Sequence, residues 1–173
     1  MKIFLRPITE RDTSIIVHWR NTDKVRSHCM SKSPITESSH LKFYKDNILT
    51  GKYKQFIVER VEENTGLVAY PIATVYLKDL DFENRRCELC IFTSDDIEWN
   101  SVGQSIAIKM LLDKAFREYG MHKVYSYVFK GFSEEMDLLL DAGFNIECVL
   151  KDEALSDDGT YHDVIRLSIV KQG

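Results

Sequence analysis

The stretch Trp99-Asn100-Ser101-Val102-Gly103-Gln104-Ser105 sets one glycine among small and amide side chains, where a polar segment gives way to an apolar-periodic one. A loop between a strand and a helix aims its backbone N–H groups and the positive helix end at one point, and that is what an anion needs. Gly103 allows close backbone approach, and Ser101, Gln104 and Ser105 add little bulk. A phosphate is the ligand this chemistry suits; an ordinary helix start is the plainer reading. The second candidate is Cys87-Glu88-Leu89-Cys90, formally the C-x-x-C spacing of redox and zinc sites. It lies in RRCELCIF, a strand-like run in which residues three apart point to opposite faces. No second such pair completes a zinc site, so free thiols are expected. His18, His28, His122 and His162 lack metal-ligand spacing, and no metal is expected either.

These groups need elements to position them. KIFLRPI alternates as a first strand, and Thr9 opens a helix carrying Ile15, Ile16, Val17 and Trp19. A short helix over Asp23 to Cys29 follows, then one with Leu41, Tyr44 and Ile48 at helical spacing. QFIVERV and LVAYPIATVYLKDL read as strands about a turn at EENTG, and Pro71 calls for a bulge or an edge position. CELCIFT is the fourth strand. The helix from about Val102 to Tyr119 carries Ile106, Met110, Leu111, Ala115 and Tyr119 on one stripe and is stopped by Gly120. KVYSYVF is a fifth strand, and Ser133 caps a helix that ends at Gly143. NIECVLKDEAL and HDVIRLSIV close the chain as a hairpin around Ser156-Asp157-Asp158-Gly159. The order β-α-α-α-β-β-β-α-β-α-β-β predicts an α/β fold, a mixed sheet with helices on both faces, in one domain spanning residues 1–173.

Composition narrows the partners. With 23 basic and 27 acidic residues the net charge is −4, so neither nucleic acid nor an anionic membrane is an expected partner. No apolar run approaches the roughly 18 residues of a membrane span. MKIFLRPITERD lacks the apolar core and cleavage site of a signal peptide, which points to a cytoplasmic protein.

The order of elements and the opening loop together resemble the GNAT superfamily of N-acetyltransferases. That family carries Q/R-x-x-G-x-G/A between its fourth strand and main helix, where it binds the pyrophosphate of acetyl-CoA. The matching stretch here is Asn100 to Ser105: Gly103 is kept, Asn100 replaces Gln/Arg, and Ser105 replaces the terminal small residue. Phe4-Leu5-Arg6-Pro7 followed by Glu10-Arg11-Asp12 looks like the L-R-P…D opening of the branch acetylating protein N-termini and small amines. Glu88-Leu89-Cys90-Ile91-Phe92 looks like its E-I-G-I-Y strand. Ala142-Gly143-Phe144, Leu150 to Glu153 and Asp158 to Val164 look like its terminal G-F…R-D…G-x-Y-x-D hairpin. Phe132 and Leu139 stand where the family usually has Asn and Tyr, so its usual general acid is missing; Tyr125 and Tyr127 are nearby in sequence.

Acetyl transfer from a thioester to an amine needs a neutral amine, a held thioester and a stabilised oxyanion. The resemblance therefore implies acetyl-CoA as co-substrate, held by Asn100, Ser101, Val102, Gly103, Gln104 and Ser105 at the pyrophosphate. The resemblance further implies that backbone groups of Cys90, Ile91, Phe92 and Thr93 hold the pantetheine arm. Glu88 is the carboxylate best placed to help remove the amine's proton; its plainer reading is a strand residue paired with Arg85 or Arg86. Trp19-Arg20-Asn21 with Val25-Arg26, and His40, resemble the acceptor segment of enzymes acting on nucleotide-linked amino sugars, which makes such a sugar the first acceptor expected. Trp19 packing against the sheet and His40 on a helix surface are the plainer readings. A protein α-amine or a polyamine is the alternative, and a non-catalytic CoA-binding module the rival. A homodimer is the assembly considered.

Overall fold

The computed structural model describes residues 1–62, 68–91, 93–156 and 158–171. Seven strands form one sheet: β1 (Ile3–Pro7), β2 (Lys54–Glu62), β3 (Val68–Asp81), β4 (Arg86–Cys90), β5 (Lys123–Phe129), β6 (Asn145–Leu155) and β7 (Tyr161–Val170), in the order β1-β2-β3-β4-β5-β7-β6. Every neighbouring pair is antiparallel except β4 with β5. The helices are α1 (Thr13–Asn21), α2 (Asp23–Ser27), α3 (Glu37–Phe43), α4 (Ser101–Asp113) and α5 (Ser133–Asp141). Alternation on β2 fixes the two faces. Phe56 and Val58 join Ala107, Ile108 and Leu111 of α4 in the main core, while Ile57 joins Ile8, Ile16 and Trp19 on the α1 side. The sheet is thus mixed, with helices on both faces.

Three details position the functional residues. Arg6 ends β1 with its guanidinium clamped: both terminal nitrogens donate to Asp12 at 2.8 and 2.7 Å, and Nε donates to Glu59 at 2.8 Å. Asp12 also accepts from the Thr9 amide at 2.7 Å, fixing the turn that launches α1. The L-R-P…D opening is therefore a structural brace. Second, β2 and β3 slip register between Val58 and Glu59, across from Ala73 and Pro71, the bulge that Pro71 demanded. Third, β4 stops at Cys90 rather than running through CELCIFT, because its pairing with β5 ends at Glu88↔Tyr125 and the two strands part.

The long fourth helix also differs in detail: α4 passes into a π-helical turn over Lys114–Glu118 before Gly120 takes φ +68° and ends it. Residues 63–67, which hold most of the EENTG stretch expected to turn, and Asp157 lie outside the described residues. Among the described residues no helix is long and apolar enough to cross a membrane.

Candidate active site

The parting of β4 and β5 opens a fork in the middle of the sheet. Ser126 Oγ on β5 donates to the Leu89 carbonyl at 2.9 Å, and Trp99 Nε1 donates to the Ile91 carbonyl at 3.1 Å, so the mouth of the fork is fixed from both sides. A cavity of about 410 Å³ runs from there, with Lys78, Glu88, Cys90, Ile91, Thr93 and Tyr127 in its wall. Glu88 is 7% exposed. Its Oε1 accepts from Lys78 Nζ, 3.1 Å away and directly across the strand pair, and from Cys90 Sγ at 3.3 Å. Burial pushes the Glu88 carboxyl above the ordinary carboxylate value, and Lys78 offsets part of that push. Burial works against the Lys78 ammonium, but the Glu88 carboxylate beside it helps hold it above the ordinary lysine value. A carboxylate poised upward in a cleft is suited to taking a proton.

The partner of Glu88 is neither Arg85 nor Arg86. Arg86 pairs with Asp81 at 3.1 Å, and the Arg85 carbonyl accepts from the His122 and Lys123 amides. Cys87 is buried on the opposite face from Cys90, and both thiols are free.

A second cavity, of about 430 Å³, shares Arg20, Cys29, Ser31, Tyr76 and Thr93 with the first and is otherwise mostly apolar, with Ile16, Val25, Ile35 and Phe43 in its wall. His40 lines it and is buried, not on the helix surface. Trp19 is 3% exposed in the α1 core, and Asn21 is tied both ways to the Ile35 backbone at 2.8 Å, so both serve the scaffold. Of that sequence segment, Arg20, Val25 and His40 reach the cavity.

A third cavity, of about 620 Å³, lies at the start of α4, where Asn100, Ser101 and Gln104 face Glu134, Glu135 and Asp137 of α5. Asn100 is the helix cap: its Oδ1 accepts from the Val102 and Gly103 amides at 3.1 and 3.3 Å. Gly103 faces inward, since a Cβ there would lie 3.1 Å from Met1 Sδ and 3.5 Å from the Glu98 carbonyl. The glycine thus makes room for the Met1 side chain. Val102 is exposed, and Ser105 is half-buried outside the three cavities. Phe92 lies outside the described residues. Across the same cavity, His28 lies against the Glu135 carboxyl and packs at a tilt on Phe132 with ring centres 4.3 Å apart; burial holds its ring below the ordinary histidine value.

Sequence reasoning missed Lys78; of Tyr125 and Tyr127, both noted as nearby in sequence, Tyr127 brings a phenol into the first cavity. Leu139, at the position of the missing tyrosine, is fully buried in the core. Among the described residues no cluster of His, Cys, Asp or Glu could hold a metal.

Comparison with known proteins bears on this arrangement. Residues 2–145 match the family model described as an acetyltransferase (GNAT) domain. Among curated proteins, none matches the chain in sequence. Among solved structures, the chain is similar to a spermidine N-acetyltransferase from Vibrio cholerae in complex with CoA and spermine, with a TM-score of 0.86 and 23% identity over 97% of this chain and 95% of that one. It is also similar to a dodecameric structure of spermidine N-acetyltransferase from the same organism, with a TM-score of 0.77 and 23% identity over 97% of this chain and 93% of that one. At these identities the likeness is one of fold.

Proposed function

Because the chain belongs to the GNAT acetyltransferase family, we propose that it acetylates a small primary amine held in the second cavity, with Glu88 in the adjoining fork accepting the amine's proton. It is an N-acetyltransferase whose acetyl donor is acetyl-CoA. The single observation that carries the acceptor reading is the continuity of the two cavities, which brings an amine-sized space against a buried, upward-shifted carboxylate.

The residues of the fork fit the donor's extended arm, whereas the α5 carboxylates Glu134, Glu135 and Asp137, across from the start of α4, disfavour its pyrophosphate. The parted strands leave backbone groups and space beside Cys90, Ile91 and Thr93 for an extended arm, and the start of α4 lies at the far end with Asn100, Ser101 and Gln104 toward the open cavity. When bound, the donor supplies the activated acetyl group. Glu88 takes up the proton that the ammonium must lose, directly or through water. Lys78 fixes the orientation of Glu88, and its charge disfavours a neighbouring ammonium, which promotes the neutral amine. Tyr76 and Tyr127, in the same wall, are the phenols available to protonate the departing thiolate.

A nucleotide-linked amino sugar is less well supported. Trp19 and Asn21, expected to grip such an acceptor, are committed to packing and to the Ile35 backbone. A small amine also agrees with the spermidine and spermine named for the structural neighbours. The test is thiol release from acetyl-CoA with a panel of primary amines. Turnover with a small amine supports the reading; binding of CoA without turnover of any amine favours a non-catalytic module.

Asn100 gives a separate test at the other end of the site. Its side chain occupies two amides that a pyrophosphate would otherwise take. Asn100→Gly is therefore expected to tighten CoA binding in a calorimetric titration. The cost in stability is only about a few tenths of a kcal/mol, because glycine is a tolerable cap. Unchanged or weaker affinity would mean that these amides are not used.

A further inference from the structure

In the second cavity the buried polar atoms are not all satisfied, and the pattern of what is missing is specific. Gln55 Nε2 donates to Thr74 Oγ1 at 2.9 Å, and Thr74 Oγ1 donates to the Phe56 carbonyl at 2.9 Å, so those two are settled. Arg20 donates from Nη2 to the Ser31 carbonyl, while its Nη1 is buried without a partner. No carboxylate of the described residues pairs with this guanidinium, and no Asp or Glu lines the cavity. His40 is 4% exposed; its Nδ1 meets Thr13 Oγ1 at 3.1 Å and its Nε2 is buried without a partner. Burial holds the His40 ring below the ordinary histidine value, so it is neutral. When Thr13 Oγ1 donates to Nδ1, the ring proton sits on Nε2, an unmet donor; in the other tautomer Nε2 is an unmet acceptor. An unmet cationic donor with no carboxylate beside it, in a mostly apolar space, calls for an anionic acceptor.

We infer that the cavity selects an amine that carries a carboxylate beside the amino group and an apolar side chain, namely a free α-amino acid. The inference rests on the N-acetyltransferase reading above and names its acceptor. Arg20 stands where the two cavities meet. A carboxylate held there leaves the amino group, two bonds away, at the junction toward the Glu88 cavity. The side chain then lies among Ile16, Val25, Ile35 and Phe43. A polyamine fits this wall poorly, since its ammonium groups would meet an unpaired guanidinium and no anion. A site built to bind a polar group also rejects analogues that lack it, because its own buried donors are then left unpaired.

The experiment compares phenylalanine, phenylalaninamide, phenethylamine and spermidine as acceptors at saturating acetyl-CoA. Phenylalanine is expected to exceed phenethylamine in kcat/KM by about tenfold or more, as a charge-assisted contact requires. Arg20→Gln is expected to bring that ratio close to one; His40→Leu, which should lower the same ratio, is the second variant should the first not fold. A preference for phenethylamine or spermidine, or a ratio unchanged by both variants, overturns the inference and leaves the acetyltransferase reading standing. If no amine turns over, calorimetric titration of phenylalanine and phenethylamine into the CoA-saturated protein separates the two ideas. Tighter phenylalanine binding then upholds the cavity's selectivity while the turnover reading falls; equal binding overturns the selectivity as well.

Discussion

Glu88→Gln is expected to lower kcat/KM for the preferred amine by about 10²–10⁴, the range that a positioned general base contributes. The substitution keeps shape and burial but removes the one carboxylate of the fork that touches Lys78. Affinity for acetyl-CoA should change little, so the loss should fall on kcat. The pH profile provides the sharper readout. A base works only when deprotonated, and burial raises the Glu88 value above the ordinary carboxylate range. Wild-type kcat/KM should therefore rise with pH through that displaced value, and the variant should lack this limb. A melting curve for each protein separates loss of chemistry from loss of fold. Equal kcat/KM in a folded Glu88→Gln protein would remove Glu88 from the proton path.

The second large effect is on stability. Arg6 holds two carboxylates, Asp12 and Glu59, each 7% exposed. Removing one member of a buried charge cluster strands the others in a poor solvent for ions. The Arg6 side chain is itself 33% exposed, so water screens part of the interaction. Arg6→Met is expected to cost about 2–3 kcal/mol after that discount, or roughly 4–12 °C in Tm. The pH dependence follows from Asp12. Burial pushes its value up, but Arg6 and Thr9 outweigh that and hold it below the ordinary aspartate value. A lowered carboxylate value contributes stability above its unfolded value and loses it as the pH falls through the folded one. The gap between wild type and Arg6→Met, read by denaturant titration, should therefore narrow below about pH 4. A gap that stayed constant would mean Arg6 acts by packing alone.

Much of the fold was legible because it rests on periodicity. The order of elements, the Pro71 bulge and the helix ends at Gly120 and Gly143 follow from local chemistry. The Glu88–Lys78 pair was not legible for a reason that can be named. It depends on cross-strand register, and β3 shifts register near Ile72 and again between Lys78 and Asp81. A one-residue slip turns every side chain to the other face, so sequence alone cannot say which lysine meets which glutamate. The WNSVGQS loop taught the opposite lesson. Its position before α4 was legible, but the glycine's inward direction depends on Met1, about a hundred residues away in sequence. Trp19 and His40 were singled out together, yet only His40 reaches the cavity; which side of α1 faces the sheet is a matter of tertiary packing.

The fork also divides the molecule mechanically. Among the described residues, three pairs, from Arg86↔Lys123 to Glu88↔Tyr125, make up the ladder between a plate made of β1 to β4 and a plate made of β5 to β7. Side chains of the main core and the Ser126 hydroxyl hold the remainder of the seam together. A ligand lying in that gap is a splint across the protein's own fault line. The free energy of gripping it is added to the free energy of keeping the two plates joined, so ligand affinity and resistance to unfolding become a single linked quantity.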